Sequence, residues 1–327
     1  MSRSRNNNTM LAGFLISFLG AVLLSTKAII IKKAFRTTSV DALTLLALRM
    51  LFSLPFYVLA AIWTSRSNST SNGAYRSVAP RMNAQQWLWV IVLGILGYHI
   101  SSYLDFVGLQ YISAGLERLI LFLYPSFAVL INSLVFRQRI SRVQIWALLL
   151  TYTGIGIAYF GELKIDTGNA HFYWGSFLVF LCAVTYAFYL AGMGRIVTVL
   201  PPSKFTTYSM LVATGGVFVH FLVRGWTGGS FKVPAATYDL WLYGILLALV
   251  ATVFPSFMIS AGMKKIGANN AAIVTSIGPV STILQAHFVL GEPIFAEQVL
   301  GTVLVIAGVL LTGWKGRAVT EPSGPTG

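Results

Sequence analysis

The chain has 327 residues, of which 56% are hydrophobic and only 10% are charged, against about 25% charged residues in an ordinary soluble domain. So few charges cannot cover the surface of a soluble protein of this size, which makes lipid the main solvent. The net charge of +14 does not indicate nucleic-acid binding, because the lysines and arginines stand in short clusters between long apolar runs, as topology signals do.

Ten stretches of the chain are long and apolar enough to cross a membrane as helices, which takes about 20 mostly apolar residues each. In chain order they are Met10–Ile31, Ala42–Trp63, Gln86–Leu109, Ser113–Phe136, Val143–Phe160, Tyr173–Met193, Phe205–Val223, Leu240–Met263, Ala268–Leu290 and Ala296–Trp314. The first run is too long for the core of a signal peptide and has no small-residue cleavage site. The sequence therefore predicts an all-α, multi-pass membrane protein in which Thr64–Ala84 is the one long, flexible loop.

The distribution of positive charge predicts the orientation, because cytoplasmic loops carry an excess of Lys and Arg. The N-terminal tail, the four loops on its side and the C-terminal tail hold fourteen of these residues, and the opposite loops hold six. The opposite set is Lys32, Lys33, Arg36, Lys164, Arg224 and Lys232. Both termini are therefore predicted to be cytoplasmic.

The two halves of the chain repeat each other. The segment Val107–Ile157 aligns without a gap onto Ala261–Leu311 at an offset of 154 residues, and the pairs include Gly108/Gly262, Pro125/Pro279 and Gly154/Gly308. Residues 10–160 and 172–314 are thus predicted to be two five-helix repeats. Since five is odd, the second repeat enters from the opposite face, and the halves are inverted around a central cavity, a plan typical of carriers.

The residues of the second half resemble a known family. They include IGANNAAIVTSIGPV (Ile266–Val280), LGEP (Leu290–Pro293) and LGTVLVIAGVLL (Leu300–Leu311). This pattern is similar to the drug/metabolite transporter superfamily in its EamA-type ten-helix branch, and most similar to the YddG-type amino acid exporters. The resemblance implies an exporter of the bacterial inner membrane, with both termini inside, that carries aromatic or neutral amino acids. In the first repeat an Arg-Gln-Arg run (137–139) replaces the GE turn that the family pattern implies.

Stripes of small and polar residues mark the helix faces that avoid lipid. On the first helix the stripe holds Gly13, Ser17, Gly20 and Lys27, and similar stripes on the third, fourth and sixth helices are predicted to line the same cavity. A ring with a hydroxyl offers an apolar wall and one hydrogen bond, which suits an amphiphilic metabolite, although ordinary packing would look the same. The predicted substrate-cavity residues are Lys27, Tyr98, His99, Ser101, Tyr124, Tyr186 and Tyr189.

Charged residues inside predicted spans are costly and therefore informative. Lys27 either attracts the carboxylate of a solute or extends its long stem to the membrane surface. Glu117 is a candidate for an ion pair with Arg49 or Arg118, or for a site that takes up a proton during transport. Asp105 lies near the end of its helix and is predicted to be solvated.

Pro125 and Pro279 fall inside predicted helices, where each removes a backbone donor. Because they are repeat mates, they form a candidate pair of hinges for a rocking motion, and stable structural kinks would give the same sequence.

The function favoured by these observations is alternating-access export of a small amphiphilic metabolite, with the lipid bilayer as surroundings and protons as one candidate coupling ion. A drug-like cation or a sugar conjugate is the alternative cargo, although phosphorylated cargo calls for several deep basic residues. An enzyme is disfavoured because no nucleophile, base or metal set converges. A channel or receptor is harder to exclude, but the inverted repeat favours a carrier. No cofactor, metal or nucleic-acid partner is predicted.

Overall fold

Ten apolar helices make up the part of the chain that the computed structural model describes, residues 2–66, 83–137, 140–165, 168–196, 200, 202–227 and 238–314. Nine are long and apolar enough to cross a membrane, and a further apolar helix, Ala296–Leu311, is shorter. These ranges contain no strand. The prediction of an all-α membrane protein with ten helices is confirmed.

The ten helices follow the predicted order. They are α1 (Ser2–Thr37), α2 (Ala42–Arg66), α3 (Ala84–Gly108), α4 (Ala114–Leu121 and Tyr124–Phe136), α5 (Arg142–Ile165), α6 (Phe172–Ile196), α7 (Pro202–Thr227), α8 (Tyr238–Ile266), α9 (Ala268–Thr275, Gly278–Gln285 and Ala286–Leu290) and α10 (Ala296–Trp314).

Helix α1 continues beyond its predicted end at Ile31 to Thr37, so Lys32 and Arg36 lie on its last turns and not in a loop. Lys and Arg are good helix formers, and their long stems let the charge leave the apolar layer while the backbone stays helical. The end of the molecule that carries Lys32, Asp41 and Glu292 is here called the predicted outer end, after the charge count. The long loop predicted at Thr64–Ala84 lies mostly outside the described residues.

Helices α4 and α9 are each broken near their middle. Proline occupies the first turn of the second half in both, at Pro125 and Pro279. This is the position that proline tolerates, because its missing N–H has no intrahelical acceptor there. The two breaks fall at matching positions of the repeat, and the role of the prolines as hinges stays a prediction.

Helices α3 and α8 share a second irregularity, a π-helical segment at Ile95–Ile100 in α3 and at Leu249–Val253 in α8. The two segments begin 154 residues apart, which is the offset of the sequence repeat. In such segments one extra residue enters the turn, and they often mark functional places in a helix. The halves therefore share local backbone defects as well as sequence.

Helix packing is symmetric under exchange of the halves. Helix α1 packs against α8, and its mate α6 packs against α3, the mate of α8. Helices α2 and α7, and helices α5 and α10, are mates that pack against each other. The contacts between the halves therefore form two equivalent sets around a common middle.

Glycines let these backbones approach closely, which is the usual way that helices associate in lipid. On α1, a Cβ added to Gly13 or Gly20 would stand within 3 Å of Ile266 or Ile259 of α8, and the Ser17 side chain lies against Gly262. The expectation that this stretch of α1 lines the cavity is therefore wrong. Small residues in a sequence fit a cavity-lining face and a helix-packing face equally well, and here they pack α1 against α8.

Candidate functional site

A buried cluster of opposite charges joins α1, α3 and α4. Lys27 Nζ donates a hydrogen bond to Asp105 Oδ2 at 2.6 Å and lies 3.7 Å from Glu117 Oε1. The side chains of Asp105 and Glu117 are 1% and 0% exposed. Because a deep charge is costly unless it is paired, the lysine is directed at these carboxylates and not at the membrane surface.

Two expectations about this cluster change. The prediction that Asp105 is solvated is wrong, since its side chain is buried. Of the two alternatives for Glu117, the ion pair with Arg49 or Arg118 is not found among the described residues, since the cation within ion-pair distance is Lys27; the proton site stays a prediction. Sequence position gives the depth of a residue along its own helix, but not which neighbouring helix it faces.

Two buried arginines flank the cluster. Arg49 donates from Nη2 to Ser102 Oγ at 3.1 Å, and its guanidinium carbon lies 5.3 Å from the centre of the Phe106 ring. The guanidinium carbon of Arg118 lies 5.5 Å from the centre of the Phe122 ring. Within the described ranges neither arginine has a carboxylate oxygen at ion-pair distance. Arg49 is thus held by a hydroxyl and an aromatic ring, and Arg118 contacts an aromatic ring.

The four predicted tyrosines form one continuous group between α3, α4 and α6. Tyr98 meets Tyr189 edge-on with ring centres 4.9 Å apart, and Tyr124 meets Tyr186 in the same way at 5.2 Å. Tyr186 and Tyr189 are stacked at 5.7 Å. The Tyr189 hydroxyl donates to that of Tyr98 at 3.4 Å. The sequence prediction therefore selected side chains that do come together, although their role in binding stays a prediction.

His99 and Ser101 lie differently from the tyrosines. The His99 Nε2 atom is 3.2 Å from Nδ1 of His220 on α7, and the edge of Tyr103 meets the His220 ring at 4.9 Å. Ser101 is buried and donates its hydroxyl to the carbonyl of Gly97 in its own helix. The structure thus groups His99 with a histidine of the second half.

The predicted outer end holds a polar cavity of about 330 Å³. Its charged lining residues are Lys32, Arg36, Glu162 and Glu292. Lys32 lies 3.8 Å from Glu292, and it also donates to the carbonyl of Ile112. This cavity was not predicted, because its charged residues come from three separate segments, the ends of α1 and α5 and the turn after α9.

Glu292 of the LGEP turn caps a helix of the other half. Its carboxylate accepts the backbone N–H groups of Ala114 and Gly115 at the start of α4, at 3.0 Å and 3.5 Å. These N–H groups have no acceptor within the helix, and the positive helix end favours a carboxylate. The motif was visible in the sequence, but a cap supplied from 177 residues away has no local signal.

Further contacts join the halves at the predicted outer end. Arg36 Nη1 donates to the carbonyl of Leu290 at 2.7 Å, and Arg224 pairs with Asp41. Together with the Glu292 cap, these contacts connect the ends of α1, α4, α7 and α9. These contacts therefore bond segments of the two halves to each other at the predicted outer end.

Comparison with known proteins places this chain among transporters. The model of the EamA-like transporter family matches residues 11–160 and 173–314. An uncharacterised transporter, YcbK of Bacillus subtilis, is 28% identical over 293 residues, covering 89% of each chain. The biotin transporter of Escherichia coli is 21% identical over 233 residues, covering 71% of this chain and 74% of that protein.

A solved crystal structure supports the fold alone. It superposes with a TM-score of 0.59 at 17% sequence identity, and the alignment covers 94% of this chain and 99% of the other. The ten-helix fold is consistent with the family match over nearly the whole chain. This integral membrane protein belongs to the EamA-like transporter family.

Proposed function

We propose that the protein is an alternating-access carrier that exports a small amphiphilic metabolite, an aromatic or neutral amino acid, across the bacterial inner membrane. The observation that carries the proposal is the junction of buried charges and aromatic rings, where Arg118 contacts Phe122 and the Phe122 ring meets Tyr124 of the tyrosine group. Such a site can bind both the polar and the apolar part of one small molecule.

The two halves supply the moving parts of this mechanism. Residues 10–160 and 172–314 form two inverted repeats, and the breaks at Pro125 and Pro279 let each half change shape at equivalent points. The contacts at the predicted outer end would have to open for release. In this mechanism both termini are cytoplasmic, and these contacts close the site to the outside.

The coupling ion in this mechanism is a proton. Lys27 cannot neutralise both Asp105 and Glu117, and both oxygens of Glu117 lack a hydrogen-bond partner among the described residues. An unsatisfied buried carboxylate is costly when charged. Uptake of a proton by Glu117 in one conformation and its release in the other would link proton movement to solute movement.

Biotin is a second candidate cargo. It is favoured by the similarity to a protein named as a biotin transporter, which covers 71% of this chain. The molecule combines an apolar part with a carboxylate, so the same mid-membrane site would bind it. Drug-like cations are less suited, because the buried lysine and arginines outnumber the buried carboxylates around the tyrosines.

The test is uptake into sealed proteoliposomes of labelled L-phenylalanine, labelled L-threonine and labelled biotin, each with and without a proton gradient. We expect gradient-dependent uptake of an amino acid by the wild type and loss of the gradient dependence in Glu117→Gln. The matched control is Arg142→Gln, an exposed charge at the start of α5. Uptake of biotin alone would replace the amino acid class, and uptake that survives in Glu117→Gln with its gradient dependence would remove the proton role of Glu117.

A further inference from the structure

Arg118 is a buried cation without an ionic partner. The residue is 8% exposed, and its Nε atom has no hydrogen-bond partner among the described residues. No carboxylate oxygen of those residues lies at ion-pair distance from its guanidinium. Lys27, by contrast, already bonds to Asp105 at 2.6 Å. Arg49 also lacks a carboxylate partner, but it donates a hydrogen bond to Ser102 Oγ. A buried unpaired charge is strongly unfavourable, so Arg118 is the cation that gains most from an added anion.

The guanidinium lies where the two broken helices meet. A Cβ added to Gly278 would stand 2.8 Å from Arg118 Nη2, so the side chain rests directly on the start of the second half of α9. Neither Leu123 nor Ile277, the residues before the second halves of α4 and α9, caps its helix with a side-chain hydrogen bond. Uncapped helix starts carry partial positive charge and bind anions.

The charges of this region leave room for a single negative charge. Lys27, Arg49 and Arg118 are three cations, whereas Asp105 and Glu117 are two carboxylates, all of them in α1 to α4. The balance is one positive charge when all five are ionised. One carboxylate of a solute neutralises this charge while Glu117 is ionised, and protonation of Glu117 raises the balance to two positive charges.

Aromatic rings stand next to this cation. Tyr124 is the first residue of the second half of α4, and its ring centre lies 6.1 Å from that of Phe122 and 5.2 Å from that of Tyr186. Phe122 in turn contacts the Arg118 guanidinium. A solute whose carboxylate reached Arg118 would therefore place its apolar body against the tyrosine group.

We propose that Arg118, together with the uncapped helix starts at Leu123 and Ile277, binds the carboxylate of the solute. The solute is then a monocarboxylate with an apolar or aromatic body, and Lys27 serves as the internal counter-ion of Asp105 and Glu117. This inference rests on the proposed function in one respect, that the bound carboxylate belongs to the transported solute. The anion site itself requires no transport.

Binding is tested with two probes that differ in charge alone, phenylacetate and its amide, phenylacetamide. Each is titrated against the purified full-length protein while the unfolding temperature is followed. We expect phenylacetate to stabilise the wild type at concentrations about tenfold lower than phenylacetamide, since a charge-assisted hydrogen bond supplies at least that factor. The preference should vanish in Arg118→Gln and persist in Arg142→Gln. A wild type that does not distinguish the probes, or an Arg118→Gln variant that still prefers the acid, overturns the proposal.

A second variant decides the matter if Arg118→Gln does not fold. Gly278→Ala keeps the arginine but displaces its guanidinium, and the displaced group is the flexible end of a side chain. A reduced preference for phenylacetate supports the anion site, and an unchanged preference overturns it. A protein that prefers phenylacetate but moves no amino acid or biotin would refute the proposed cargo while the carboxylate site stands. Transport of phenylalanine that is unaffected in Arg118→Gln would refute the carboxylate site while the proposed cargo stands.

Discussion

Lys27 shows how a membrane protein keeps three ionisable groups away from water. One ammonium faces two carboxylates, and the closer of these, Asp105, receives the hydrogen bond. Removing one member of such a cluster lowers the free energy of unfolding mainly because the remaining charges stay buried without their partner. A substitution at this position therefore reports on the cluster as a whole.

Replacing Lys27 with methionine keeps an unbranched side chain one atom shorter and removes its charge. We expect a loss of about 3–5 kcal/mol in the free energy of unfolding, since Asp105 and Glu117 lose their shared counter-ion. Adding Asp105→Asn should recover part of the loss. Thermal unfolding in detergent measures both variants. Lys164→Met is the control, because the Lys164 side chain is 74% exposed and its pair with Glu297 is solvated. Equal effects of Lys27→Met and Lys164→Met would contradict a buried cluster.

At the scale of the element, α4 depends on a cap that its own sequence does not supply in full. The Ser113 hydroxyl accepts the N–H of Leu116, and the Glu292 carboxylate accepts those of Ala114 and Gly115. Replacing Glu292 with glutamine keeps the shape and removes the charge. We expect a loss of about 0.5–2 kcal/mol and faster hydrogen exchange at Ala114 and Gly115. Glu297→Gln is the control, because Glu297 lies in the first turn of α10 with its side chain 42% exposed. Equal exchange in both variants would argue against the cap.

The close contact between α5 and α10 depends on glycine. A Cβ on Gly154 would stand 2.6 Å from the carbonyl oxygen of Gly301, whereas nothing lies within 4 Å of a Cβ on Gly156. We expect Gly154→Ala to destabilise the protein by about 1–3 kcal/mol through overpacking, and Gly156→Ala to be neutral or slightly stabilising through helix propensity. The two unfolding temperatures decide, and a Gly154→Ala variant as stable as Gly156→Ala would mean that the helices separate readily.

The sequence was most informative where a local pattern determines the outcome. Apolar length gave the ten helices, and the paired prolines marked both breaks. It failed where the outcome depends on which helices are neighbours. Asp105 was misjudged as solvated, Ser17 was assigned to the cavity, and the Glu292 cap was missed. Each of these depends on contacts between segments far apart in the chain, and helix periodicity carries no information about them.

At the scale of the whole molecule, the inverted repeat makes a prediction that needs no substrate. Ala84 and Tyr238 are the first residues of α3 and α8, they stand 154 residues apart, and both are exposed. Mates in an inverted repeat lie on opposite sides of the membrane. In a Cys182→Ser parent, which removes the one cysteine of the chain, we expect Tyr238→Cys to react with a membrane-impermeant maleimide in intact cells. Ala84→Cys should react only after the cells are opened. Labelling of both from the same side would mean parallel halves, and the contacts at the predicted outer end could then not alternate with a mirror-related set at the other end.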